Sequence, residues 1–269
     1  MIVNKNVSMA EYCSFKAGEK AAFLLMPETE TEIKEAIDFA KSESLPYMIM
    51  GNGTNLLFAK DYPGVVIRPK AESISKIAND AAKQGFAGLE FASGIPGSLG
   101  GAVYMNAGAY GGEMAKVLKS VTSLDDKGEI HVRKADECDF SYRHSIFMTN
   151  KEVILAAEFE LYRDDPEEIK KRIAELSRER SAKQPLSYPS AGSFFKRPEG
   201  YFAGKLIQDA GLKGYSVGGA QVSELHAGFI INKGGATAAD IIELMHVVQS
   251  KVFEQFGVEL KPEVQIIGL

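Results

Sequence analysis

Arg143, Ser193 and Glu263 are the side chains of this sequence whose type and setting most invite a chemical reading. Arg143 lies in Ser141-Tyr142-Arg143-His144-Ser145, ahead of an expected strand. Its guanidinium fork can hold a carboxylate or a pyrophosphate, or close a structural ion pair. Ser193 sits in Tyr188-Pro189-Ser190-Ala191-Gly192-Ser193-Phe194-Phe195-Lys196-Arg197-Pro198. Two phenylalanines beside it could turn the hydroxyl into a dry pocket, although turn and cap hydroxyls are the commoner use of serine. Glu263 follows Pro262 near the end, and by position alone it reads as a solvated charge. There is no H-E-x-x-H, no cysteine pair and no G-x-S-x-G. His131, His144, His226 and His246 show no ligand spacing, so no metal centre is expected.

Two glycine-rich stretches suggest where an anionic ligand would lie. Gly94-Ile95-Pro96-Gly97-Ser98-Leu99-Gly100-Gly101, continued to Gly112, holds seven glycines and almost no charge. Such a stretch brings backbone N–H groups close to a bound group. Gly51-Asn52-Gly53-Thr54-Asn55-Leu56-Leu57 follows a strand, a helix and a second strand, a place where a diphosphate can meet free amides. The spacing is not the G-x-G-x-x-G of a doubly wound dinucleotide fold.

The elements that position these stretches alternate between strand and helix. Thr29 and Glu32 predict a capped helix with Ile33, Ala36, Ile37 and Ala40 on its inner face. A second helix is expected over 73–84, with Ile74, Ile77, Ala78 and Ala81 inward. Residues 117–124 read as a strand, turned at Asp125-Asp126-Lys127-Gly128. Residues 153–162 alternate, with Val153, Leu155, Ala157, Phe159 and Leu161 on one side. Asp165 and Pro166 open a helix with expected pairs Glu167–Lys171 and Glu168–Arg172. Ala203–Ala210 forms a short helix closed at Gly211. Thr237 and Asp240 cap a last helix with Ile241, Met245, Val248, Val252 and Phe256 inward.

With 269 residues, 25% charged and 45% apolar, the chain suits a two-lobed globular protein. A net charge of −5 without a basic run argues against nucleic acid. No apolar stretch is long enough to span a membrane and no signal-like start is seen, so a cytoplasmic protein is expected.

In order along the chain, Gly51 to Leu57, Gly88-Leu89-Glu90-Phe91 through Gly112, Tyr142 to Ser145, Ser190 to Pro198, Val222 to Asn232 and Pro262-Glu263-Val264 resemble the UDP-N-acetylenolpyruvoylglucosamine reductases. The resemblance runs from about Ala21 to the end, and the ordered set is specific where its first member alone is not. It implies an α+β fold: a two-part FAD-binding domain of the vanillyl-alcohol-oxidase-like type, over 1–164 with a tail, 257–269, returning to it, and a separate α+β substrate lobe over 165–256. The type implied is the compact one, lacking an extra tyrosine-bearing loop. The implied activity is NADPH-dependent reduction, through non-covalent FAD, of the enolpyruvyl group of a UDP-sugar in peptidoglycan precursor synthesis. The expected partner is that nucleotide sugar, and the expected state a monomer.

Carried over residue by residue, the resemblance gives Gly51, Asn52, Gly53, Thr54, Asn55, Leu56, Pro96, Gly97, Ser98, Gly100 and Gly101 to the FAD diphosphate. Asn106, Ala109 and Tyr110 would lie along the cofactor. Arg143 would bind the substrate carboxylate, Glu263 would stabilise the enolic charge, and Ser193 would protonate C2. Lys183 and Lys196 are candidate partners of the substrate diphosphate, while Lys205, His226 and Asn232 are placed at the substrate without a defined role.

Two departures stand out. Cys13 occupies a place where the family usually has threonine. Only Arg68-Pro69-Lys70-Ala71-Glu72-Ser73-Ile74 follows Ile67, where the family usually has a strand pair. Either this is a true deletion that leaves the flavin sheet short, or the sequence omits residues; the backbone groups that a deletion would expose need partners, which favours the second. A flavin oxidase with another substrate and a binding module without turnover are the competing readings.

Overall fold

The computed structural model describes residues 1–269. They form two compact units. The first comprises Met1–Val3, Leu25–Asn52 and Val66–Arg180, the second Asn4–Leu24, Gly53–Val65 and Ser181–Leu269. The chain passes between them within two strands, Lys20–Met26 and Tyr62–Ile67. Strands Ile2–Ser8, Lys20–Met26, Tyr62–Ile67 and Tyr47–Ile49 hydrogen bond in that order. This division differs from the boundary expected after residue 164. The tail and residues 4–24 and 53–65 group with the C-terminal part because they share its core: Phe15, Leu57 and Val264 belong to the cluster built on the last helix.

The first unit carries five α-helices. Helix α1 (Glu30–Ser42) starts at Thr29, whose hydroxyl accepts the Glu32 N–H at 3.2 Å, and buries Ile33, Ala36, Ile37 and Ala40 as its spacing predicts. Helix α2 (Ile74–Lys83) buries Ile74, Ala78 and Ala82, with Ile77 and Ala81 at the margin. Helix α3 is short (Leu99–Tyr104), α4 is a single turn (Phe147–Asn150), and α5 runs over Pro166–Lys183. Asp165 Oδ1 accepts the Glu167 N–H at 2.8 Å, the expected cap of α5. The expected four-apart pairs of α5 give way to others. Lys170 pairs with Glu167 and Lys171 with Glu168, while Arg172 is drawn to Asp164 and Glu90.

The sheet of this unit places Leu118–Leu124 between Ile130–Lys134 and Val153–Phe159, both antiparallel to it. Strand Val153–Phe159 departs from strict alternation. A bulge between Ile154 and Ala156 shifts its parity, so Ile154 packs on the core where Leu155 was expected. Several amides of the link after Ile67 are paired. Arg68 donates to the Leu25 carbonyl at 2.8 Å and Lys70 to that of Pro27 at 2.9 Å, while Glu72 accepts from Leu99 at 2.9 Å. The exposed backbone groups that favoured an omission are therefore not seen at these positions.

In the second unit, α6 (Ala203–Asp209) and α7 (Ala238–Phe256) pack with a sheet of Ser216–Val217, Ala220–Val222 and Ile230–Asn232. Thr237 and Asp240 cap α7 reciprocally, and Gly257, at φ +66°, ends it. Ile241, Leu244, Met245, Val248 and Val252 of α7 are buried. The tail strand Gln265–Ile267 runs parallel to Leu56–Phe58.

Candidate active site

The two glycine turns meet in the first unit. A Cβ on Gly51 would lie 2.4 Å from Ser98 Oγ, so the bare Cα is what lets the turns touch. Arg68 Nε donates to the Gly51 carbonyl at 3.3 Å. Asn52 and Thr54 are half-buried, and their side chains make no hydrogen bond within the protein. Such groups, beside a cradle that a Cβ would fill, fit a bound polyanion. Ser98 is buried and uses its hydroxyl to accept the Gly101 N–H at 3.2 Å, capping α3. Its side chain thus serves the turn, and its own proton stays available to a ligand.

Asn106 corrects an expectation. It is 2% exposed, and its amide side chain bonds to Ser141, Ala115 and Glu113 of the protein itself. With both ends engaged inside the protein, the side chain is committed to its own chain and leaves only the backbone to meet a cofactor. Tyr110 is 42% exposed and holds φ +52°. Ala109 pairs with Gly112 in the tight hairpin that follows. Arg143 takes φ +54° in a turn closed by a Ser141–His144 bridge, a conformation strained for a residue with a Cβ. Its Nη2 reaches the Gly108 carbonyl at 3.4 Å, and the guanidinium lies over the Tyr142 ring.

Arg180 is not marked out by its sequence setting. This half-buried side chain lies against Gly94, where a Cβ would come within 3.0 Å of its Cδ. No carboxylate pairs with it, and burial lowers its pKa. A desolvated cation without a counter-ion at the glycine stretch is the signal, and it is invisible in a run of basic residues such as 178–184.

In the second unit the segment carrying Ser193 is laced to the tail. The Phe194 carbonyl accepts the Glu263 N–H at 2.8 Å, Phe195 bridges to Pro262, and the Lys196 N–H reaches the Lys261 carbonyl at 2.8 Å. Asn55 then takes hold of the tail: its Nδ2 donates to the Glu263 carbonyl and its own carbonyl accepts the Gln265 N–H, each at 3.0 Å. Ser193, Glu263 and Asn55, far apart in sequence, thus come together. Phe194 and Phe195 are buried, but Ser193 is exposed and its hydroxyl has no partner in the protein. It caps nothing. Ser14, in the stretch that begins at Cys13, donates to the Ser190 carbonyl at 2.6 Å and through its N–H to Gly53 at 3.0 Å. Cys13 is buried and its thiol pushed up to about 12, so it is inert.

The remaining substrate-lobe residues fare unevenly. Asn232 is 6% exposed; its Nδ2 donates to Phe15 and its Oδ1 accepts from Gly234 and Ala236. It is a structural bracket, contrary to expectation. Lys205 is tied to Asp209 one turn along α6, which explains its position without a ligand. His226 accepts the Gly228 N–H at Nδ1 (3.0 Å), stands edge-on to Phe229, and is held neutral by burial, its pKa lowered. Lys196 makes no side-chain bond, and Lys183 is exposed.

Asp125, Glu129 and His131 bring three ligand atoms within 4.8 Å of one another. Asp125 is occupied there: Oδ1 accepts the Lys127 and Glu129 N–H groups and Oδ2 pairs with His131, which hold its carboxyl down to about 2. These bonds close the hairpin turn. No helix is long and apolar enough to cross a membrane.

Comparison with known proteins matches residues 184–267 to the UDP-N-acetylenolpyruvoylglucosamine reductase C-terminal domain and residues 71–133 to an FAD binding domain. The chain is 48% identical to the UDP-N-acetylenolpyruvoylglucosamine reductase of Caldanaerobacter subterraneus over 280 residues, covering 98% of this chain and 93% of that protein. It is 47% identical to that of Clostridium botulinum over 289 residues, covering 100% and 94%. The crystal structure of the Thermus caldophilus UDP-N-acetylenolpyruvylglucosamine reductase matches with a TM-score of 0.87 at 35% identity, covering 99% of both chains.

Proposed function

The chain belongs to the UDP-N-acetylenolpyruvoylglucosamine reductase family, and from that membership we propose how its side chains divide the family's reaction. It is an FAD-dependent oxidoreductase that takes electrons from NADPH and reduces the enolpyruvyl group of UDP-N-acetylglucosamine enolpyruvate to UDP-N-acetylmuramate, for peptidoglycan synthesis. When bound, FAD supplies the hydride acceptor for NADPH and the hydride donor to C3 of the substrate.

Residues up to 164, together with Arg180, hold the cofactor, and the rest of residues 165–256 hold the sugar nucleotide. The Gly51–Leu56 and Pro96–Gly101 turns cradle the FAD diphosphate, helped by the unpartnered Asn52 and Thr54. Arg180 offers its unpaired guanidinium to an anionic part of the same cofactor. Lys183 and Lys196 meet the substrate diphosphate. Arg143 grips the substrate carboxylate in a forked pair and takes up the charge that grows on it and on C2. Glu263 helps stabilise the enolic intermediate. Ser193 Oγ passes its proton to C2; a hydroxyl is a poor acid in water, so the acceptor must be a strongly basic carbon in a closed site. The observation supporting this assignment most directly is the backbone bond from the Glu263 N–H to the Phe194 carbonyl, which ties the chain at Glu263 to the residue after Ser193, a serine whose hydroxyl no protein group occupies. The protein acts as a monomer in the cytoplasm.

The purified protein tests this under anaerobic conditions. NADPH should bleach the oxidised flavin spectrum, and UDP-N-acetylglucosamine enolpyruvate should restore it. Flavin that stays reduced after the sugar nucleotide is added would refute the reading.

A further inference from the structure

Three bonds tie the segment leaving α3 to the turn that carries Arg143. Ser145 Oγ donates to the Tyr104 carbonyl at 2.7 Å, Asn106 Nδ2 to the Ser141 carbonyl at 3.0 Å, and Arg143 Nη2 to the Gly108 carbonyl at 3.4 Å. The middle bond is made by a buried side chain. Asn106 also accepts the Ala115 N–H at 2.9 Å and faces Glu113 Oε2 at 3.4 Å. The Ser141 carbonyl it grips already accepts the His144 N–H at 3.1 Å, so Asn106 supplies the second bond at the base of the turn.

Few residues could do this. The backbone at 106 has φ +41°, where asparagine is among the more tolerant residues with a side chain. The site asks for a donor toward Ser141 and an acceptor toward Ala115 at once, which an amide provides and a carboxylate does not. Arg143 is itself left-handed, so its turn needs surroundings that over-determine it. We infer that Asn106 is a positioning residue for Arg143, fixing the base of its turn to the segment that follows the glycine stretch. The inference rests on the reading of Arg143 as the group that holds the substrate carboxylate.

Asn106→Asp keeps the acceptor for Ala115 and loses the donor to Ser141. The charged groups around it are Glu113, in contact, and Arg143, with His144 and Asp139 paired in the same turn. Beside the Glu113 carboxylate, the new acid should bind its proton more tightly than usual. At neutral pH, reoxidation of the reduced enzyme by the enolpyruvyl substrate should slow by roughly tenfold to a hundredfold, as expected for a misplaced binding group. Flavin content and the rate of reduction by NADPH should stay within about twofold of the parent. As the pH falls and the aspartic acid gains a proton, the donor returns and reoxidation should recover relative to the parent. Asn106→Ala, which has no proton to regain, should be slow at every pH.

Equal losses in both half-reactions, or an Asn106→Asp defect that does not change with pH, would overturn the positioning role. Arg143→Lys separates this from the reading beneath it. If that variant reoxidises at the parent rate, the role of Arg143 fails and the inference with it. If it is slow while Asn106→Asp is normal, the inference alone fails.

Discussion

The side-chain amide of Asn55 donates to the backbone carbonyl of Glu263 at 3.0 Å, across 208 residues of sequence. With the Gln265 N–H returned to the Asn55 carbonyl, a glycine turn expected at the cofactor and a candidate acid of the reaction share one short splice. Asn55→Ala removes the side-chain half of the splice and leaves the Glu263 carbonyl without that donor. Stability should drop by about 1 kcal/mol, the usual worth of one such bond. Turnover should fall by roughly tenfold or more through misplacement of Glu263. Thermal melting and steady-state rates measured together check this, and an unchanged rate would detach the splice from catalysis.

Gly51→Ala places a methyl group 2.4 Å from Ser98 Oγ. Overpacking of this kind costs about 1–3 kcal/mol, and here it should appear as weaker FAD binding by about tenfold or more. Ser98→Ala removes the offending oxygen; the Ser98 Cβ itself is 3.6 Å from the added group, an ordinary contact. The double variant should therefore bind FAD better than Gly51→Ala alone, although it loses the α3 cap. Flavin fluorescence titration of the apoprotein reads both effects.

Arg180 holds an unpaired charge beside Gly94. Arg180→Met keeps much of the packing and deletes the charge. FAD affinity should fall by roughly tenfold or more, consistent with a charge-assisted bond, while the melting temperature of the apoprotein holds or rises because a desolvated cation is gone. Unchanged FAD affinity would remove Arg180 from the cofactor site.

His226 is held neutral by burial, its pKa below the usual 6.5. A folded-state pKa below the unfolded value means that the unfolded chain binds the proton more readily. The stabilising contribution is therefore complete above pH 6.5 and is lost as the pH falls toward the folded-state pKa. His226→Asn, which can still offer an oxygen to the Gly228 N–H, should show a shallower loss of melting temperature between pH 7 and 5 than the parent. A parallel loss in both proteins would assign the acid sensitivity elsewhere.

Much of the fold can be read along the chain because its signals are local. The α7 stripe of Ile241, Met245, Val248 and Val252, and the Thr237–Asp240 cap, follow from spacing alone. The bulge after Ile154 does not, since nothing in an alternating run marks where parity slips. The glycines at 51 and 94 are legible as punctuation, but their purposes, room for Ser98 Oγ and for Arg180, depend on partners far away in sequence. Asn106 and Asn232 mislead for a related reason. A polar side chain inside a ligand-like motif looks the same whether it faces a ligand or, as here, bridges buried backbone groups of its own protein. The ties from Ser14 to Ser190 and from Asn55 to Glu263 carry no sequence signal at all, because either partner is a common turn residue.

The most direct test of the account follows the reduced enzyme through a single turnover with UDP-N-acetylglucosamine enolpyruvate in the parent and in Ser193→Ala. Both should be reduced by NADPH at the same rate. Turnover of the sugar nucleotide should be slower in the variant by roughly a hundredfold to ten-thousandfold, the range of a lost general acid. Product formed by Ser193→Ala at the parent rate would contradict the assignment of Ser193 as the proton donor.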